Sequence, residues 1–165
     1  MRTRRQLEKY LKENKVIYES RNEESMDDYE HDWSFHVNGK KENLKAEWFG
    51  GKDYIAITGG IILNIGIRRA PYCCGVYEIG DFTNGDRYPH IWEAIIEYFL
   101  LVSRLPYLRT ETITKSGTTQ AVEIALKKLN FRLVTTIPSG HAKRNKEKLY
   151  KINVWEWIKP KKVRN

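Results

Sequence analysis

The sequence predicts an α+β protein whose mixed, mostly antiparallel sheet is flanked by helices. Two patterns support this fold class. Residues 33–82 alternate apolar and polar positions between turn-forming residues, which is typical of consecutive antiparallel strands. After residue 89, segments with helical apolar spacing alternate with strand-like segments. Each helix needs an apolar surface to cover, so the early and late strands are expected to share one sheet.

The chain begins with a predicted helix over residues 3–14, because Leu7 and Leu11 lie on one helical face. A short strand is expected at 16–20. The segment 19–32, ESRNEESMDDYEHD, holds seven acidic residues and one basic residue. Two interpretations of this segment stay open: an exposed loop, or a segment that folds back over a basic surface.

A meander of four or five antiparallel strands is expected next. Alternating apolar residues predict a strand over 33–37, and Asn38-Gly39 predicts a two-residue hairpin turn into a second strand over 44–49. Further strands are expected at 55–57, 61–68 and 73–82.

The last third of the chain is predicted to alternate helices and strands. A helix is expected to begin near Pro89, whose fixed φ suits the first helical turn, and to end at Arg104. A second helix is expected over 118–130. Its inward-facing residues are predicted to be Ala121, Ile124, Ala125 and Leu129. The accompanying strands are expected at 108–115, 131–137 and 148–158.

Length and charge limit the function classes. The 165 residues suit one domain, 1–165, with an N-terminal helix and acidic segment over 1–32, a core over 33–158 and a basic tail over 159–165. The net charge of +8 favours polyanionic partners: nucleic acid or an acidic protein bound through the basic C-terminal segment, or a phosphorylated cofactor. No apolar run has membrane-spanning length, and no apolar signal region begins the chain, so a cytoplasmic protein without membrane contact is expected.

The segment 118–131, TTQAVEIALKKLNF, resembles a motif of the GNAT superfamily, the acyl-CoA-dependent N-acyltransferases. In that family the helix ends in Glu-Lys-Leu-Gly-Phe, and here it ends in Lys-Lys-Leu-Asn-Phe. Asn130 replaces the glycine, and Asn tolerates the left-handed conformation at a helix end best after Gly. As topology, the resemblance covers roughly residues 52–157.

The resemblance implies a site for acetyl-CoA or another acyl-CoA. The family's pyrophosphate loop reads Arg/Gln-x-x-Gly-x-Gly/Ala, and the best match here begins at Arg87. His90 and Trp92 stand where small residues belong, and Pro89 lacks an amide donor. The resemblance therefore implies an anion site built from Arg87, His90 and the positive helix end. The other interpretation is a turn that only begins the helix.

The resemblance also implies catalytic residues near the fourth strand of the family's sheet. Glu78 is the predicted general base, with Asp81 beside the loop as a second carboxylate. An ordinary structural interpretation of Glu78 is a pair with Arg68 or Arg69. The family's proton-donating tyrosine corresponds to Ala125, so Tyr150 is the possible substitute.

The implied cofactor contacts complete the site. The backbone amides of Ile79, Gly80 and Phe82 are expected to polarise the thioester carbonyl. Thr118 or Thr119 takes the place of the asparagine that begins the family's motif.

Two functions follow from these observations. The first is an N-acyltransferase that moves an acyl group from a CoA-type donor to an amine on a protein, a nucleic acid base or a small molecule. The alternative is a catalytically inactive protein of the same fold: a binding protein for nucleic acid or a host protein, or a virion component. The small size and altered motifs are similar to those of phage-encoded members, for which the location would be the host cytoplasm.

Overall fold

The structure is a computed structural model. It describes residues 1–21, 31–45, 51, 53–69, 76–80, 82–114, 119–138 and 151–161. The helices in these ranges are α1 (Arg4–Glu13), α2 (Pro89–Ser103) and α3 (Gln120–Lys128). The strands are β1 (Val16–Arg21), β2 (His31–Val37), β3 (Lys40–Leu44), β4 (Tyr54–Thr58), β5 (Ile61–Arg69), β6 (Tyr77–Gly80), β7 (Tyr107–Thr114), β8 (Arg132–Pro138) and β9 (Lys151–Ile158).

Seven strands form the main sheet, in the order β1-β2-β5-β6-β7-β9-β8. Neighbouring strands are antiparallel, with the exception of β6 and β7, which are parallel. The predicted fold class, an α+β protein with a mixed and mostly antiparallel sheet, is confirmed. As expected, strands from both halves of the chain share this sheet.

The hairpin predicted across Asn38-Gly39 is wrong. Strand β2 pairs with β1 and β5, whereas β3 pairs with β4 in a separate two-stranded sheet. The second strand, predicted over 44–49, runs from Lys40 to Leu44, and residues 46–50 lie outside the described ranges. The strands β3 and β4 therefore form an arm that continues the β2–β5 pair past a kink.

The kink has a steric cause. The β2–β5 ladder ends with the pair Val37 and Ile61. The next two residues, 38 and 39, therefore lie opposite Gly60 and Gly59. Gly60 has a φ of +72°, and a Cβ there would lie 2.3 Å from the carbonyl oxygen of Val37. Only glycine fits such a close backbone approach. Asn38-Gly39 is thus a bend in one arm of a long hairpin, and the chain reverses between Leu44 and Tyr54.

The helix ends follow ordinary capping chemistry. Thr3 caps α1, because its hydroxyl accepts from the Gln6 amide while the Gln6 side chain accepts from the Thr3 amide. Helix α2 begins with Pro89 and ends at Arg104, which has a left-handed φ of +55°. Asn130, after α3, has a φ of +63°, as its place in the motif predicts.

One predicted inward residue of α3 faces outward. Ile124 is 41% exposed, while Val122 and Leu126 are fully buried. Helix α3 packs against both α2 and the sheet. Its buried face is therefore wider than the sequence predicts and also includes Val122 and Leu126.

The core lies between the helices and one face of the main sheet, which we call the helix face. Its sheet side is formed by Phe35, Leu63, Ile65, Ile67, Ile79, Leu108, Trp155 and Trp157. Helix α2 covers it with Trp92, Ile95 and Ile96, all 0% exposed. The opposite face is called the charged face. In the described parts of the chain, all three helices pack on the helix side.

Candidate active site

The parallel strands β6 and β7 part soon after they pair. Tyr77 pairs with Leu108, and the pairing ends at Ile79 and Thr110. At the last pair, the Thr110 hydroxyl donates to the carbonyl oxygen of Ile79 at 2.7 Å. Strand β6 ends at Gly80, whereas β7 continues to Thr114 along β9. A gap therefore opens between the two strands beyond Gly80.

A crevice of about 200 Å³ lies at this gap. It is lined by Arg68, Glu78, Ile79, Gly80, Glu111, Ile113 and Ile152. Because Ile79 points into the core, its neighbours Glu78 and Gly80 point to the other side of the sheet. The crevice thus opens on the charged face.

Trp92 does not obstruct the crevice. Its side chain is 0% exposed and belongs to the core on the helix face. The indole meets the ring of Phe82 edge-on, with 5.5 Å between ring centres, and its Nε1 donates to the carbonyl oxygen of Asn84 at 3.4 Å. The bulky residue in the predicted pyrophosphate loop therefore anchors that loop to the core.

A row of alternating charges crosses the charged face below the crevice. Five residues lie directly opposite one another on five adjacent strands: Arg68, Glu78, Arg109, Glu156 and Arg132. We call them the charge row. Opposite charges that face each other across strands stabilise a sheet, so this pattern favours the observed register.

At each end of the charge row, two oppositely charged side chains are in direct contact. Arg68 Nε lies 3.2 Å from Glu78 Oε2, and Arg132 is hydrogen-bonded to Glu156. Tyr107 also donates its hydroxyl to Glu156, at 3.0 Å. The hydrogen bond from Arg132, followed by that from Tyr107, holds the pKa of Glu156 below its usual value. Arg109 lies between the two carboxylates in the register.

The pairing of Glu78 with Arg68 matches the structural interpretation of that residue. The Glu78 side chain is 13% exposed, so the pair is partly shielded from water. Its role as a general base stays a prediction. Glu111 lines the same crevice, is exposed, and forms no ion pair with another described residue.

The residues predicted to bind the cofactor fall into three groups. Ile79 and Gly80 line the crevice. Arg87 and His90 are exposed at the start of α2. The third group makes structural contacts: Phe82 packs on Trp92, and the Thr119 hydroxyl bonds to both the amide and the carbonyl of Ile113, at 3.1 and 2.9 Å. Asp81, Thr118 and Tyr150 lie outside the described residues.

The loop before α2 is fixed on both sides. The Asn84 side chain donates to the carbonyl oxygen of Ile62 at 2.9 Å, and the Gly85 carbonyl accepts from the Val122 amide at 3.0 Å. Tyr88, directly before α2, has a left-handed φ of +58°, and no side chain caps the helix. Pro89 has no backbone N–H. The other amides in the first turn of α2 are therefore available to an acceptor from outside the helix.

Sequence reasoning missed Glu111 and most of the charge row. The segment 108–114, LRTETIT, alternates as a strand does, with charged residues at positions 109 and 111. The neighbours of Arg109 and Glu111 depend on the register with β6 and β9, and the sequence pattern alone does not determine that register.

The described residues hold no group of three or more His, Cys, Asp or Glu side chains that could bind a metal ion. The described helices also include no segment that is both long and apolar enough to cross a bilayer.

Comparisons with known proteins find similarity in structure alone. No family model and no curated protein matches the chain. A solved structure described as a streptothricin acetyltransferase from Bacillus anthracis str. Ames, in complex with acetyl coenzyme A, aligns with a TM-score of 0.45 and 12% identity, covering 87% of this chain and 99% of that chain. A GNAT-family acetyltransferase from Bacillus anthracis aligns with a TM-score of 0.39 and 13% identity, covering 64% of each chain. At these values the likeness does not indicate an activity for this chain.

Proposed function

We propose that this protein is an N-acyltransferase that moves an acyl group from a CoA-type thioester to an amine. The parting of the parallel strands β6 and β7 is the observation that carries the proposal. Where the ladder stops, backbone groups near Gly80 have no partner on β7. An extended arm with amide groups, such as pantetheine, can pair with such an open strand edge.

The crevice also supplies what the reaction requires at the acyl carbon. The neutral amine nitrogen attacks the thioester carbonyl, the C–S bond breaks, and the second proton that the nitrogen gives up as the amide forms goes to the thiolate. The amine must first lose its own proton to a base. Glu78 and Glu111 both line the crevice at the height of Gly80. Glu78 is the base that the sequence predicts, and Glu111 is a second candidate because no described cation is paired with it.

The start of α2 supplies a place for the donor's phosphates. Arg87 and His90 are exposed there, and the first amides of the helix have no side-chain cap. Helix amides and a cationic side chain together favour an anion. The crevice and the helix start are joined by the loop that Asn84 and Gly85 fix in place.

Acetyl-CoA titration tests the proposal. A ligand that binds only the folded state stabilises it by about 2.7 kcal/mol at a hundredfold excess over its dissociation constant, which a thermal shift measures directly. Thiol release from acetyl-CoA in the presence of a panel of primary amines then reports turnover. Arg87→Gln should weaken binding, whereas Arg5→Gln, an exposed arginine on α1, should not.

The two candidate bases can be separated in the same assay. Glu78→Gln and Glu111→Gln should leave acetyl-CoA binding intact, and the variant that has lost the base should turn over more slowly near neutral pH, where the amine is protonated. Full turnover in both variants would remove this pair of carboxylates from the mechanism.

The alternative function, an inactive binding protein, has its own support. Glu78 is paired with Arg68, Ala125 is buried at the position of the family's tyrosine, and the chain carries a net charge of +8. This alternative predicts no shift with acetyl-CoA and a shift with DNA that falls steeply with salt. Such a pair of results would overturn the acyltransferase proposal.

A further inference from the structure

A second and larger cavity lies on the helix face, away from the crevice. Its volume is about 480 Å³, within the range of small-molecule sites. It lies between the C-terminal half of α2 and the strands β1, β2, β5 and β6. Ile67 and Tyr77 line it, whereas their sequence neighbours Arg68 and Glu78 line the crevice. The two cavities are thus on opposite sides of the same two strands.

The walls of this cavity are aromatic and aliphatic. Six aromatic residues line it: Tyr18, Trp33, Phe35, Tyr77, Tyr98 and Phe99. Trp33 meets Phe99 edge-on at 5.4 Å, and Tyr18 is 5.1 Å from Phe35 between ring centres. Ile65 and Ile95, at 1% and 0% exposed, form its buried end. These walls suit an apolar body.

Arg4 is the one charged residue that lines the cavity within the described part of the chain. Tyr18 and Val102 are 45% and 48% exposed, so the cavity opens to solvent between β1 and the end of α2. Arg4 stands at this opening, with its guanidinium carbon 5.8 Å from the centre of the Tyr98 ring. Its Nε donates to Glu8 at 2.9 Å. Among the described residues, no acidic side chain lines the cavity.

We propose that this cavity binds an amphiphile with an apolar body and a carboxylate head, of the size of a medium-chain fatty acid. The apolar body fills the aromatic cavity, and the carboxylate lies at the mouth against Arg4. A guanidinium offers paired donors that match a carboxylate, so the charge at the mouth selects this head group over a neutral or cationic one. The site is separate from the proposed acyltransferase site.

Dodecanoate is the probe, and dodecan-1-ol is the neutral control. Isothermal titration calorimetry below the micellar range should show one dodecanoate bound per chain, more tightly than dodecan-1-ol. Quenching of indole fluorescence should decrease in Trp33→Phe, because Trp33 lines the cavity. Light scattering excludes aggregates as the source of the signal.

Four variants locate the site. Val102→Trp fills the mouth and should weaken dodecanoate binding by at least about tenfold, a large loss on the affinity scale. Ile124→Trp, at a similarly exposed position on α3, should leave the affinity unchanged. Arg4→Gln should reduce the preference for dodecanoate over dodecan-1-ol, and Arg5→Gln should not.

Three results would overturn the proposal. The first is no dodecanoate binding by the wild-type chain. The second is unchanged affinity in Val102→Trp. The third is a concentration-dependent dimer that Val102→Trp abolishes, because the occupant of the cavity would then be a second copy of the chain. Acetyl-CoA binding is measured in the same variants and should stay unchanged, so a failure here is distinguishable from a failure of the acyltransferase proposal.

Discussion

The two faces of the main sheet are stabilised in different ways. The helix face packs its apolar side chains against those of the helices, such as Trp92 and Ile95 of α2. The charged face carries a row of alternating charges from Arg68 to Arg132, with ion pairs at its two ends. Burial of apolar surface gives most of the favourable free energy of folding. Each partly exposed ion pair contributes little, and its contribution depends on the geometry of the two charges. Both candidate bases, Glu78 and Glu111, lie on the charged face.

The largest effect is expected from removing the indole of Trp92 on the helix face. Trp92→Ala leaves a cavity in the core and should lower the free energy of unfolding by about 3–5 kcal/mol. It should also loosen the loop that Asn84 joins to the indole. Chemical denaturation measures the loss. Ile124→Ala, at a position 41% exposed, is the control and should cost far less. Equal losses in the two variants would contradict the assignment of Trp92 to the core.

A smaller effect is expected from breaking the charge row. A double-mutant cycle with Arg68→Gln and Glu78→Gln should give a coupling free energy of about 1 kcal/mol. Added salt should reduce this coupling, because it screens charges near water. The same salt should leave the cost of Trp92→Ala nearly unchanged. A coupling of zero would mean that the 3.2 Å contact does not stabilise the sheet.

The charge row should also give the stability of the protein a pH dependence. The pKa of Glu156 is lowered from its ordinary value of 4.5 by the hydrogen bonds from Arg132 and Tyr107. A lowered pKa in the folded state means that the stabilisation is present above pH 4.5 and is lost as the pH falls through the folded-state pKa. The stability difference between wild type and Glu156→Gln should therefore shrink on acidification. A constant difference would show that Glu156 does not titrate with folding.

The smallest effect concerns the end of α3. Asn130 has a left-handed φ of +63°, so Asn130→Gly should stabilise the protein by a few tenths of a kcal/mol, roughly the strain that glycine avoids. Asn14, which ends α1 with a φ of −89°, is the matched control. Asn14→Gly should bring no gain, since that conformation suits any residue. Thermal unfolding of both variants measures the difference.

The sequence was sufficient for the fold class and for the elements with long, regular patterns. Helix α2 was predicted because its apolar face is broad and Pro89 and Arg104 mark its ends. Strand β5 was predicted because apolar residues extend from Ile61 to Ile67 between turn signals. These features are local, so local patterns determine them.

The arm and the candidate site depended on pairing that local patterns do not determine. Asn38-Gly39 is a strong hairpin signal, and the actual pairing is decided by its close packing against Gly60, a contact between distant parts of the chain. In the same way, the location of Glu111 at the crevice depends on the register of β7 with its neighbouring strands. The strand order and register determine which residues are neighbours on one face of a sheet.

The kink between β2 and β3 has a consequence for the modular organisation of the chain. The arm of β3 and β4 has its own ladder, and it leaves the main sheet where Val37 and Ile61 are already paired. A shortened chain that joins Val37 to Ile61 through a tight reverse turn would keep all seven strands of the main sheet. The arm is thus an insertion in the hairpin formed by β2 and β5. A chimaera could carry a different arm between Val37 and Ile61.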